Sequence, residues 1–362
     1  VNQLKNYRIK ITVATPVFIG SGLSYQKNEY FYDRDTRKIH IINPEILMRW
    51  IVEKGRIQNF ESFSLSGASL SKFFEDLRVR PESIPGLIEY SADAGAAVEQ
   101  GRLIEIKAFI KDTANRPYIP GSSLKGALRT VILTKMLRDA GREEFLDNER
   151  IAKKNPAAQI EIKHLHTLDR AGEKANALNS VMSALSISDS APLAQPSLTL
   201  CRKIDVSKGG YEGRLNIARE CLCPGTEAEF ILTLKPESGK IDAGYIKKAV
   251  EEFGGYYSRT YADKFSLPQG AVKEDFSNCI LLGGGCGYFG KNILYPGRDY
   301  ESALRLAAAL MAKKYAKHKH EGDVETGVSP HTLKYTEYIE PNGRGSVKCQ
   351  MGICRVDIEE RA

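Results

Sequence analysis

Residues 116–133 read RPYIPGSSLKGALRTVIL. Leu124, Ala127, Leu128, Val131 and Ile132 recur at helical spacing, which predicts a helix opened by a Pro-Gly step, with Ser122 or Ser123 as its N-cap and Gly141 at its end. A helix start presents unpaired N–H groups and a partial positive charge, so it suits an anion. Lys125 and Arg129, four positions apart, share a face near that start. The expected ligand is phosphate, held by Gly121, Ser122, Ser123, Lys125 and Arg129. Nucleotide hydrolysis does not fit: Gly121 and Gly126 have P-loop spacing, but Ala127 and Leu128 stand where its lysine and magnesium-binding hydroxyl belong.

Outward from this helix the chain alternates strands and helices irregularly. Tyr7, Ile9, Ile11 and Val13 fall on one face of a first strand that ends at the GSG of 20–22, and EYFYD and KIHIIN flank a turn as a hairpin. Residues 44–100 read as a helical insertion, and 142–180, polar and aperiodic, as a flexible one. Four strand-like segments follow between 184 and 235, the middle two forming a hairpin around Lys208 to Gly213. A boundary falls near 236–240. Beyond it come a helix, a short strand, a second helix and two closing strands around the turn PNGRG. The fold class is α+β, with expected domains of 1–236 and 237–362.

Composition sets broad limits. The 362 residues include 52 Lys+Arg against 45 Asp+Glu, a net charge of +7 that permits a polyanionic partner without requiring one. No apolar run has the length of a membrane span, and a soluble, cytoplasmic protein with no membrane association is expected. Seven cysteines without a repeated C-x-x-C pair read as packed thiols; no metal ligands and no cofactor are predicted.

A second glycine-rich stretch, LLGGGCGYFGK at 281–291, also invites a phosphate. Its G-x-G-x-x-G spacing fails as a dinucleotide loop, because Pro296 and Gly297 interrupt the required helix and Leu310 stands where a ribose-binding acid belongs. What remains is accessible backbone at Gly283, Gly284, Gly285 and Gly287, a cation at Lys291, and aromatic faces at Tyr288 and Phe289. Those rings suit stacking on an unpaired base, or core packing beside a tight turn.

Taken in order, these segments resemble the RAMP superfamily of CRISPR RNA-binding proteins. TPVFIGSG (15–22) resembles its first strand and glycine, YIPGSSLKGALR (118–129) its central helix, and ISDS (187–190) its I/V-S-D-A strand. KIDVSKGG (203–210), followed by ECLCPGTEAEF (220–230), is similar to its hairpin arm and E-x-x-x-PGT-x-F strand. LLGGGCGYFGK and SPHTLKYT (329–336) are similar to C-terminal segments of the fifth Csm-type subunit of type III-A effectors. The resemblance implies two ferredoxin-like, RRM-related modules with helical insertions, gripping the sugar-phosphate backbone of a CRISPR RNA near its 3′ end and contributing to maturation of that end. It implies contacts from Arg202, Lys203, Thr332 and Lys334. It also implies partners in the repeated RAMP backbone subunit, the other Csm-type subunits, target RNA and cellular nucleases that trim the guide.

The same resemblance argues against catalysis. Laying the backbone subunit's catalytic loop on IKAFIKD (106–112) puts Ile106 where the aspartate belongs, and Glu105 faces the other way by strand alternation. A hydrocarbon side chain neither binds a metal ion nor moves a proton. The alternative is a RAMP-type endoribonuclease processing precursor RNA, for which His164, His166, His318, His320 and His331 are candidates by residue type. Asp189 of ISDS is expected to order a turn or pair with a basic neighbour.

Overall fold

The structure, a computed structural model, describes residues 4–97, 105–141, 156–194, 197–340 and 345–361. In chain order, strands β1 (Lys5–Val13), β2 (Gly20–Gln26), β3 (Tyr30–Asp33) and β4 (Lys38–Ile42) precede helices α1 (Pro44–Glu53), α2 (Ile57–Ser66) and α3 (Leu70–Leu77). Strands β5 (Ile88–Asp93) and β6 (Glu105–Phe109) lead to α4 (Gly121–Ala140) and α5 (Pro156–Leu165). Then come β7 (Leu185–Ile187), β8 (Leu198–Ser207), β9 (Glu212–Leu222), β10 (Glu227–Leu234), α6 (Ala243–Thr260), β11 (Cys279–Leu281) and α7 (Tyr300–Lys314). The short α8 (Asp323–Thr326) and β12 (Thr332–Ile339), β13 (Ser346–Gln350) and β14 (Ile353–Glu360) follow. Among these residues no helix is long and apolar enough to cross a membrane.

Two sheets organise the chain. The first has the order β11-β14-β1-β10-β7, every pair antiparallel. The alternation of β1 does what period two requires: Ile9, Ile11 and Val13 are buried, while Arg8 and Lys10 pair with acidic side chains on the open face. Helices α4 and α6 contribute Leu124, Leu128, Val131, Phe253 and Tyr257 to the same core as Ile9 and Ile11. The second sheet runs β2-β6-β9-β8-β5-β4-β3, with β12 and β13 attached through β8. Each sheet draws strands from both sides of residue 236, and one core spans them.

Several local expectations change. Helix α4 starts at Gly121 with Pro120 at its cap position, so neither Ser122 nor Ser123 caps it. The cap comes from a distant segment: Asp189 accepts the Gly121 N–H at 2.8 Å. The stretch 44–100 contains β5 as well as helices, because Tyr90 and Ala92 supply one buried face against β4 and β8. Its helices carry a core of their own around Phe31, Ile51, Phe63, Phe73 and Phe74. Part of 142–180 is ordered as α5, which buries Ile160 and Leu165 in the main core; residues 142–155 lie outside the described set, as do 341–344 of the PNGRG turn. The β3–β4 and β8–β9 hairpins pair antiparallel as the sequence predicts.

A buried ion pair ties the second sheet together beneath the loop at 110–120. Glu220 on β9 accepts from Tyr90 Oη and the Phe109 N–H, both at 2.8 Å, and pairs with the Lys111 ammonium. Lys111 also lies 4.2 Å from the Tyr90 ring centroid. Burial, reinforced by the Glu220 charge, pushes the Tyr90 phenol far above its ordinary pKa.

Candidate RNA-binding groove

The first strand ends at Val13, not at the GSG of 20–22; Gly20 instead opens β2, and there it meets the start of α4 and the glycine loop. A groove of about 420 Å³ is lined by Gly20, Ser122, Ser123, Gly126, Arg129, Thr130, Gly283, Gly284 and Lys291, among others. Three segments distant in sequence therefore share one surface of small residues, hydroxyls and cations. Such a surface lets a sugar-phosphate backbone approach closely and meet donors.

The glycine loop is built by close approach. Gly284 donates its N–H to Phe18 O at 2.7 Å, and a Cβ on Gly283, whose φ is +87°, would lie 2.3 Å from that same oxygen. Gly285, at φ +90°, leaves room for the Arg219 guanidinium, 2.8 Å from where its Cβ would be. Only glycine fits either place. Lys291 is exposed at the end of a 3₁₀ turn. Tyr288 is half-buried, its phenol pushed up to about 12 by burial. Phe289 is core: it packs against Tyr256, Tyr257, Tyr261 and Tyr295, so the base-stacking alternative considered for it is replaced by the packing one.

The helix start is partly occupied by the protein itself. A Cβ on Gly121 would fall 2.3 Å from Ile187 O and 2.4 Å from Ser188 O, so this glycine lets α4 sit on the β7 segment. Lys125 donates to Leu185 O at 2.8 Å, and burial lowers its pKa. It therefore points to β7, whereas Arg129 lines the groove beside Glu161, with which it pairs. The shared face expected from their spacing is split by these two contacts. Gly126 differs from Gly121, since a Cβ there would meet nothing within 4 Å.

The remaining residues assigned from sequence lie along β8 and β12. Asp205 sits between Lys203, at 3.0 Å, and Lys334, at 2.8 Å. Burial opposes the Asp205 charge, yet these ammoniums hold its pKa below the ordinary value. Lys334 also donates to Thr332 Oγ1 at 2.9 Å, and its Cγ would be 3.3 Å from a Cβ on Gly287. Arg202 is buried, donating from Nε to Ala97 O at 2.7 Å, away from the groove. Ile106 is fully buried, and Glu105 pairs with Lys107 at 2.8 Å.

One functional candidate was not read from the sequence. The Arg219 guanidinium lies 5.4 Å from the Phe18 ring and 3.7 Å from Met351 Sδ, and among the described residues its buried Nε has no hydrogen-bond partner. Alternation along β9 places Arg219 on the face opposite buried Ala218 and Glu220, which was the available signal. It could not be used without knowing that the glycine loop crosses that face.

The chain belongs to the RAMP superfamily, whose family profile matches residues 10–347. It is similar to the CRISPR system Cms protein Csm5 of Mycobacterium tuberculosis (strain CDC 1551 / Oshkosh), 27% identical over 382 residues covering 98% of each chain. Among solved structures, a chain of the Csm-crRNA-target RNA ternary complex of a type III-A CRISPR-Cas system matches with a TM-score of 0.60 at 17% identity, over 97% of this chain and 100% of that one. T. onnurineus Csm5 matches with a TM-score of 0.58 at 18% identity, over 96% and 99%. The two structures bear on the fold.

Proposed function

We propose that this protein is a non-catalytic, guide-RNA-binding subunit of a type III-A CRISPR interference complex. In this reading it caps the 3′ end of the CRISPR RNA in the cytoplasm and contributes to maturation of that end and to assembly. The observation that carries it is the single groove formed by Gly20, the α4 start and the glycine loop, with Arg129 and Lys291 on its walls. Its partners are the CRISPR RNA, the repeated RAMP backbone subunit, other Csm-type subunits, target RNA and the nucleases that trim the guide. The ternary complex containing the structural neighbour supports that assignment. The buried Ile106 supports a lack of target cutting, as it offers no group for metal or proton chemistry.

A ferredoxin-like reading is supported by the first sheet, in a form that crosses the 236/237 division. Strands β14-β1-β10-β7, with α4 between β1 and β7 and α6 between β10 and β14, follow the β-α-β-β-α-β pattern. A second module, drawn from the other sheet, completes the proposed pair.

Purified protein is expected to bind single-stranded RNA with weak sequence preference. Its affinity should fall with salt by a log–log slope of about 0.7 per phosphate contact. Arg129→Ala combined with Lys291→Ala should lower both affinity and slope while leaving the unfolding midpoint nearly unchanged. Unaltered binding by that double variant would reject the groove. Incubation of labelled RNA in EDTA, magnesium or manganese should yield no new fragments; specific cleavage products would favour the endoribonuclease reading.

Gly126 separates stability from binding. A mid-helix glycine costs up to about 1 kcal/mol relative to alanine, and the site has room for a methyl group. Gly126→Ala should therefore raise the unfolding midpoint yet weaken RNA binding by about fivefold, ~1 kcal/mol, because the methyl enters the groove. Equal affinity with higher stability would show that RNA does not approach this helix face.

A further inference from the structure

His320, Asp323 and His331 form a cluster that the RNA-binding reading does not use. Asp323 opens α8 with its side chain only 1% exposed, and each carboxylate oxygen meets a different imidazole: Oδ2 with His320 Nδ1 at 2.9 Å, Oδ1 with His331 Nδ1 at 2.5 Å. The two rings lie 4.5 Å apart, centroid to centroid, with 35° between their planes. Among the described residues no lysine or arginine forms a salt bridge with Asp323; its ion-pair partners there are these two histidines. Buried carboxylates are paired, hydrogen-bonded or coordinate metals, and here two imidazole nitrogens converge on the two carboxylate oxygens. Two imidazoles and a carboxylate brought together in this way are also a ligand set for a single shared cation.

We propose that these residues bind a divalent transition-metal ion of the zinc class. One donor atom from each residue lies within 4.8 Å of the others. Ligand bonds of about 2.1 Å place tetrahedral donors about 3.4 Å apart, so modest side-chain rotation closes the set. Two imidazoles and one carboxylate favour zinc over magnesium, which prefers oxygen donors and retains water. His331 is 29% exposed at its side chain, leaving an approach for a fourth ligand, whereas His320 is nearly buried.

The backbone is prepared for the ion. Tyr300 donates to Gly327 O at 2.8 Å, Tyr295 to Ser329 O at 2.6 Å, and Tyr261 to Pro330 O at 2.8 Å. These bonds fix the loop between Asp323 and His331, so the ligands are held before metal arrives. A bound ion would add a direct link between α8 and the start of β12, immediately before Thr332.

The test uses the full chain, stripped with EDTA and titrated with zinc chloride, with bound metal quantified after gel filtration. Wild type should retain one zinc per chain and unfold at a higher temperature when zinc is present. His331→Gln should bind more than about tenfold more weakly, at least the loss seen when even an outer-shell partner of a ligand is removed, and should lose the thermal shift. Asp323→Asn should behave alike; if it fails to fold, His331→Gln still decides, because its side chain is partly exposed. Cobalt loading should give d–d bands without thiolate charge transfer, separating this site from the seven cysteines. No retained zinc in wild type, equal retention by His331→Gln, or a thiolate signature would each overturn the proposal.

Discussion

Gly121→Ala is expected to destabilise the fold by about 3 kcal/mol, the upper part of the usual range for overpacking a close-packed site. Its Cβ would collide with Ile187 O at 2.3 Å and Ser188 O at 2.4 Å, and both obstacles are backbone. The helix must then withdraw from β7, which also breaks the Asp189 cap and the Lys125 bond to Leu185 O. Chemical denaturation should show the loss as a lower midpoint. A midpoint within experimental error of wild type would mean that α4 does not rest on this segment. The contrast with Gly126, five residues later, makes the pair informative: one alanine should damage the fold, the other should strengthen it.

Lys111→Met should cost about 3–5 kcal/mol, the range found when one member of a buried ion pair is removed. The side chains of Lys111 and Glu220 are 7% and 1% exposed, so the remaining carboxylate cannot recruit bulk water without opening the sheet. Tyr90 and the Phe109 N–H would still donate to Glu220, but neither supplies charge. Adding Glu220→Gln should recover much of the loss, because a neutral amide keeps an acceptor for one of those donors. Two equally unstable variants, with no recovery in the double, would show that the pair contributes by packing rather than charge. The measurement is the denaturant midpoint of all four proteins, which forms a double-mutant cycle.

What could be read from the sequence was periodic or local. The apolar face of β1, the apolar stripe of α4, the β8–β9 hairpin and the glycine loop each announce themselves within about twenty residues. The groove was legible as components, since Ser122, Arg129, Gly283 and Lys291 were all singled out, but their meeting was not. The departures from the local expectations share a cause. Asp189 replaces the serines at the α4 cap, Leu185 O takes Lys125, and Ala97 O takes Arg202; each partner comes from a distant part of the chain. For Phe289 the sequence left base stacking and core packing open, and four tyrosines from α6 and the following segments enclose it. The His320–Asp323–His331 cluster had no spacing signature, because a turn brings its third member back.

Strand β1 is flanked by β10 and β14, and Arg8 bonds Glu359 across 351 positions of chain. During synthesis, at about 5–20 residues per second, the first strand emerges about 20–70 s before its last neighbour exists. Throughout that interval one edge of β1 lacks its partner, and the glycine loop that closes the groove is absent for most of it. On the proposed reading, nascent chains should therefore hold no RNA in the groove, and binding should begin only after translation has passed β14. RNA binding at the proposed groove would then be timed by the ribosome as well as by the concentration of RNA.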